Sequence, residues 1–310
     1  MEQPTPQTRS WFQKLFFSPE EPRLRAGWRL LGQSLLMFFS IALLGTLGNL
    51  FFSALAESSF ASFLLFSSLT IPLAITFSVF IARRYLDRRT FVSLGLRVDR
   101  QSISDLLFGI ALTGLMLGLI YLFEWVFGWI EVESFAWQFE GGRNLILSIL
   151  IMVLIFSLAS WQEELLSRGY WLQNLSDGLN RSLGVLLSSA AFALGHVMNP
   201  NLSWQALLGL FLSGLFLAYG YLRTKQLWLP IGLHLGWNFF EGTVFGFPVS
   251  GQYFYQLIRQ TVSGPDIITG GAFGPEAGLI LIPALILGAA GVFWYTKDRQ
   301  PNQPIAPEDA

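Results

Sequence analysis

The sequence predicts an all-α fold: a polytopic membrane helix bundle of about eight transmembrane helices with both termini cytoplasmic. Three observations carry this. Of 310 residues, 53% are hydrophobic and only 13% charged, with a mean hydropathy of +0.51, whereas a soluble domain carries about 25% charged residues. Apolar segments recur along the chain, most of them near the ~20 residues that a helix needs to span hydrocarbon. With the N-terminus placed inside, all of the 19 Lys and Arg except Arg143 and Arg259 fall on the cytoplasmic side, as the positive-inside bias requires.

Residues 1–29 are polar and carry Arg9, Lys14, Arg23, Arg25 and Arg29 among four prolines. Trp11, Phe12, Leu15 and Phe16 recur at helical spacing, which fits a short interfacial helix or a loosely ordered tail. The apolar segments then run over 30–55, 60–82, 106–130, 145–163, 183–197, 204–222, 227–247 and 277–295. Ala54-Leu55-Ala56 superficially fits a signal-peptidase site. The run before it is longer than the usual 7–15 residues, so a retained anchor is expected. The fifth segment is short, and is read as tilted, re-entrant or sheltered by its neighbours. Glu131, Glu133 and Glu140 fall in an outer loop between the third and fourth spans. The loop 248–276, rich in Gly and Pro, is the longest external connection, and 297–310 reads as a disordered cytoplasmic tail. Residues 30–296 thus form one membrane domain without an internal repeat, in contact with membrane lipid.

Composition also excludes chemistry. A net charge of −1 implies no nucleic-acid partner. The absence of cysteine removes disulfides, thiolate zinc ligands and a cysteine nucleophile together. Any imidazole chemistry rests on two histidines, His196 and His234.

The polar constellation begins at Trp161-Gln162-Glu163-Glu164-Leu165-Leu166-Ser167-Arg168, after an uncharged run from Leu145 to Ala159. A charge at the centre of a membrane helix costs about 2.5–3.5 kcal/mol on insertion scales, so intramembrane carboxylates point to function. Adjacent helical residues diverge by about 100°, and the two glutamates cannot share a face. Glu164 and Arg168 are spaced i,i+4 and can pair, which leaves Glu163 as the freer carboxylate, suited to a general base. The alternative places both glutamates at headgroup level, with Arg168 on a lipid phosphate.

Phe192-Ala193-Leu194-Gly195-His196 follows in the fifth segment, and His234-Leu235-Gly236-Trp237-Asn238 in the seventh. His196 suits a ligand, a base or a structural interhelical hydrogen bond. His234 and Asn238 lie on one helical face and suit a pair of oxyanion donors, or polar glue between spans. Depth poses a difficulty. His196 lies 13 residues past Leu183, about 20 Å along a helix, while Glu163 and His234 read as shallower. Either the fifth segment tilts or starts outside the membrane core, or the fourth sits deep.

The order EExxxR, FxxxH, HxxxN on successive membrane segments resembles the CPBP family, the CAAX-processing and bacteriocin-processing (Abi) membrane proteases. Glu163 to Arg168, Phe192 to His196 and His234 to Asn238 carry the motifs. The flanks Gly169-Tyr170, Asn199-Pro200 and Trp228-Leu229-Pro230-Ile231-Gly232-Leu233 also look like bacterial members. The resemblance covers a core of about residues 145–247. It implies that Glu163 with His196 activates the attacking water, that Glu164 and Arg168 orient the site, and that His234 and Asn238 stabilise the oxyanion. It further implies an integral, multi-pass protein, in the plasma (inner) membrane if the source is bacterial, acting on a peptide or membrane-protein substrate.

Glu163, His196 and His234 would also supply two nitrogens and a carboxylate, a set zinc accepts, although no HExxH helix is present. Zinc is therefore a candidate cofactor, and a glutamate-activated water without certain cofactor is the favoured reading. Two rivals remain. One is a non-catalytic membrane immunity or scaffold protein that binds a peptide or partner protein. The other is a transporter with Glu163 or Glu164 as proton relay, which the lack of an inverted repeat disfavours.

Overall fold

Long apolar runs without water must satisfy their backbone groups internally, and helices do so within one segment. The computed structural model describes residues 10–18, 23–54 and 60–299. The expected tail beyond 299 and the residues around Ala56 lie outside the described residues. Helix α1, Trp11–Phe16, forms at the predicted short helix and is capped by Ser10. Its Trp11, Phe12 and Leu15 are exposed.

The bundle follows with α2 (Ala26–Ala54), α3 (Phe60–Ile81), α4 (Arg100–Val126), α5 (Gly142–Glu164), α6 (Leu172–Gly178), α7 (Arg181–Leu194), α8 (Trp204–Thr224) and α9 (Trp228–Asn238). The short α10 (Asp266–Thr269) precedes α11 (Leu281–Thr296). Every predicted apolar segment contains a helix. Among the described residues, five helical runs are long and apolar enough to cross a membrane: Ala26–Phe51, Leu69–Leu86, Arg100–Val126, Gly142–Gly178 and Trp204–Thr224. Arg181–Leu194 and Leu281–Thr296 are apolar but shorter. The protein is an integral membrane protein. Two strands, β1 (Ile130–Phe135) and β2 (Ile258–Val262), depart from the all-helical expectation. They pair antiparallel, with Ile130 opposite Val262, and so tie the loop after α4 to the loop before α11.

Two boundaries differ from the sequence reading, and both matter for the site. The fourth segment does not end at Glu163. Its helix continues through a widened, i→i+5 bonded turn at Leu165–Trp171 into α6, a run of 37 residues. The charges expected to end the span are buried inside it: Glu164 and Arg168 pair within the bundle, and Leu165 to Tyr170 are buried throughout. Such π-type widenings are frequent at functional sites. The fifth segment stops at Leu194 rather than 197, and His196 sits in the turn that follows.

The core has two parts. One joins α4, α8, α9 and α11 through Met116, Leu117, Leu210, Leu233 and Leu281. The other joins α2, α3 and the widened turn through Met37, Val79, Leu165 and Tyr170. The contact between α4 and α9 needs glycine: a Cβ at Gly232 would lie 2.3 Å from the Leu106 carbonyl oxygen, and one at Gly236 would lie 2.3 Å from Thr113 Oγ1. Small residues at such crossings let helix backbones approach. Beneath the second core, buried Asp87 accepts hydrogen bonds from Arg29, Arg83, Tyr170 and Asn174. Two of the expected surface cations, Arg29 and Arg83, are therefore spent on an internal network. Arg299, from the segment read as a tail, donates to Asp105 and lies over the Tyr295 ring.

Candidate active site

The long helix of α5, the widened turn and α6 carries Glu163 and Glu164 in its middle third, not at its end. Within this long run the glutamates come beside His196 and His234. Adjacent helical residues point apart, and the two carboxylates do different things. Glu164 Oε1 accepts from Arg168 Nη1 and from His234 Nδ1, both at 2.8 Å. Arg168 is completed by the Gly214 carbonyl at 3.0 Å and the Phe192 ring at 4.4 Å. The Glu164 and Arg168 side chains are 0% and 1% exposed. The i,i+4 pair is thus made as expected, and it has a third member, His234.

Glu163 faces the other way, into a cavity of about 490 Å³ that His196, His234 and Asn238 also line. Its Oε2 lies 3.8 Å from His196 Nε2 and 3.9 Å from His234 Nε2, and it is buried without a hydrogen-bond partner. Both imidazoles are held from behind. His196 Nδ1 bonds the Phe192 carbonyl oxygen at 2.9 Å. A carbonyl only accepts, so His196 carries its proton on Nδ1 and turns Nε2 to Glu163. His234 Nδ1 is held by Glu164 in the same manner. Three elements distant in sequence therefore converge on one oxygen atom. Asn238 is 8% exposed and lies one turn along α9 from His234.

The donor types suit zinc, and a carboxylate on the outer nitrogen of a ligating histidine is a common supporting contact. The spacing suits it less well. Adjacent ligand atoms on an ion with ~2.0 Å bonds lie about 3.3 Å apart, and both separations here are longer. Among the described residues, no group of three His, Asp or Glu is arranged to hold a metal ion.

The apolar walls include Phe156, Phe192, Phe216 and Ile71. Ile71, which is exposed, brings α3 into the lining of the cavity. Its opposite wall comes from residues that the sequence reading left in a connecting loop. Glu276 and Ser250 line the cavity, and Ser250 Oγ donates to Glu276 Oε2 at 2.5 Å. Asn199, from the turn that carries His196, donates to the Ser250 carbonyl at 3.0 Å. Glu276 is the last residue of that loop, directly before the last apolar segment.

Comparison with curated proteins and with solved structures finds no match. Residues 144–240 match one family model, described as Rce1-like, type II CAAX prenyl endopeptidase Rce1-like. The matched segment contains all three motifs and every side chain converging on Glu163. The match covers under a third of the chain, and it marks this segment as similar to that family of membrane proteases.

Proposed function

We propose that the protein is an intramembrane endopeptidase that hydrolyses a peptide bond of a membrane-associated protein or peptide with a water activated by Glu163 and His196. One observation carries the reading: both Nε2 atoms point at Glu163 Oε2 from 3.8 and 3.9 Å. That separation is too long for direct hydrogen bonds, so Glu163, partly exposed to the cavity, keeps no direct partner and is left free to take a proton from water. Glu163 takes one water proton as the oxygen attacks the carbonyl carbon. Asn238 donates to the resulting oxyanion, and His234 joins it through Nε2 when both ring nitrogens are protonated. Glu164 on Nδ1 is the counter-charge for that form. Collapse breaks the C–N bond, and the proton held by Glu163 passes to the leaving amine, which restores the carboxylate. Glu164 and Arg168 position His234 and close the site from behind. The N-terminus-inside orientation belongs to the same proposal and rests on the charge bias.

The test uses the full chain in detergent or proteoliposomes with a membrane-delivered peptide. Glu163→Gln and His196→Ala are each expected to lower cleavage by about 10²–10⁴-fold while the unfolding transition is retained. Undiminished cleavage by folded variants would remove the assignment and return the immunity or scaffold reading. Stripping metal with a chelator separates the two versions of the chemistry: activity that survives complete removal supports the glutamate-activated water.

A further inference from the structure

Of Glu163, His196, His234 and Asn238, only His196 stands outside a helix. It lies in the turn between α7 and α8, and connecting segments are more mobile than the elements they join. Its ring is fixed locally, by the Nδ1 bond to the Phe192 carbonyl one turn back. That bond sets the ring against α7, but not the turn against the rest of the bundle. Val197 and Met198 of the same turn are exposed, so they do little to anchor it.

Contacts with the loop before α11 supply the anchor. Asn199 Nδ2 donates to the Ser250 carbonyl at 3.0 Å, and Asn201 Nδ2 to the Ala272 carbonyl at 3.3 Å. Between them the Pro200 carbonyl meets Gly251, where a Cβ would lie 2.1 Å from that oxygen. The Gly251 N–H donates to the Phe273 carbonyl at 2.8 Å. Ser250 holds a φ of 47°, a region that residues other than glycine seldom adopt, and its Oγ donates to Glu276. The acceptor of the Asn199 bond is thus itself fixed from behind. The family match ends at residue 240, so this half of the clamp lies outside it.

We propose that Asn199 is a positioning residue: through its bond to the Ser250 carbonyl it fixes the turn that carries His196, and so sets where His196 Nε2 meets Glu163. The coupling is short, because the Asn199 N–H also donates to the His196 carbonyl at 2.9 Å. A shift at Asn199 therefore passes directly to His196. Misplacing a reacting group by about 1 Å can cost about 10²-fold in rate. The inference rests on the protease reading above for its effect on cleavage, and not for its effect on the His196 ring.

The experiment uses the full chain in detergent or proteoliposomes with Asn199→Ala, Asn199→Asp and, as a control, Met198→Ala. Asn199→Asp keeps the size of the side chain but replaces the donor with an oxygen that repels the Ser250 carbonyl. Both Asn199 variants are expected to lower kcat by roughly 10–10²-fold, with KM little changed and the unfolding transition retained. Met198→Ala, from an exposed side chain of the same turn, should match wild type. The second readout is the nitrogen magnetic-resonance spectrum of histidine-labelled protein, which holds two rings; His196→Ala assigns them. In the Asn199 variants the His196 signals should shift or broaden while those of His234 stay. Either readout unmoved in Asn199→Asp overturns the proposal. A rise in KM alone makes Asn199 a substrate contact, and a lost unfolding transition makes it a folding residue; both overturn it equally. If wild type shows no Glu163-dependent cleavage, the protease reading falls, and the ring signals alone decide whether Asn199 positions His196.

Discussion

Glu164 bonds two partners through one oxygen, and its replacement tests how the centre of the bundle is held. Glu164→Gln keeps an acceptor of the same size for Arg168 and His234 but removes the charge. The bond to a neutral His234 then falls from the charge-assisted range of about 1.5–3 kcal/mol to about 0.5–1.5 kcal/mol, while Arg168 keeps a charge-assisted bond but loses its counter-charge. The loss is on the order of 2 kcal/mol or more. Glu164→Ala goes further and strands a guanidinium that is 1% exposed. Breaking a buried pair from one side costs roughly 3–5 kcal/mol. Adding Arg168→Met removes the stranded charge, because apolar replacement of a whole buried pair is often neutral. His234 Nδ1 still lacks its acceptor, so the double variant should sit about 1–3 kcal/mol below wild type. Equilibrium unfolding in detergent, followed by tryptophan fluorescence, gives the four stabilities of the cycle. The expected coupling is at least about 2 kcal/mol. A Glu164→Ala variant within about 0.5 kcal/mol of wild type, or additive losses, would refute the reasoning, since both are the behaviour of solvated charges.

Three further outcomes follow from other contacts. A Cβ at Gly209 would lie 1.7 Å from the Glu276 carbonyl oxygen. Gly209→Ala should therefore cost roughly 1–3 kcal/mol by overpacking, whereas unchanged stability would contradict that contact. On the protease reading, Asn238→Ala should lower kcat by about 10²–10³-fold with KM little changed; a selective rise in KM would instead make Asn238 a substrate-binding group. Asp99 caps α4, and the backbone N–H of Ser102, then its hydroxyl, hold the Asp99 carboxyl below its usual range. A depressed folded-state value means that this stabilisation is complete above the ordinary value of about 3.9 and is lost as pH falls through the lower one. Asp99→Ala should remove about 1 kcal/mol at neutral pH and flatten that part of the acid unfolding profile; the same slope in variant and wild type would assign it to other carboxyls.

The membrane class and the place of each apolar helix were legible because hydrocarbon demands long uncharged runs, and such runs are visible one residue at a time. The pairing of Glu164 with Arg168 was legible for an equally local reason, the i,i+4 geometry of a helix. Two charges also marked the wrong boundary. The fourth segment was read to end at Glu163, because a charge in sequence looks the same whether solvent or another side chain neutralises it. The partners His234, Gly214 and Phe192 come from 24 to 70 positions away, and only their arrival lets the helix continue to Gly178.

The far wall of the cavity shows the same limit more sharply. Ser250 and Glu276 stood in a glycine- and proline-rich loop with no periodicity to read, and hairpin-like pairing of β1 with β2 was not expected from either strand alone. By itself, the sequence determined the membrane class, the helical segments and the three motifs, since hydropathy and helical spacing are local properties. The tertiary structure alone decided that two histidines turn their Nε2 atoms on one Glu163 oxygen, and that Glu276 stands across the same cavity. Those arrangements depend on helix crossings set by packing at glycines such as Gly209, Gly232 and Gly236, and packing between distant segments leaves no mark on any one of them.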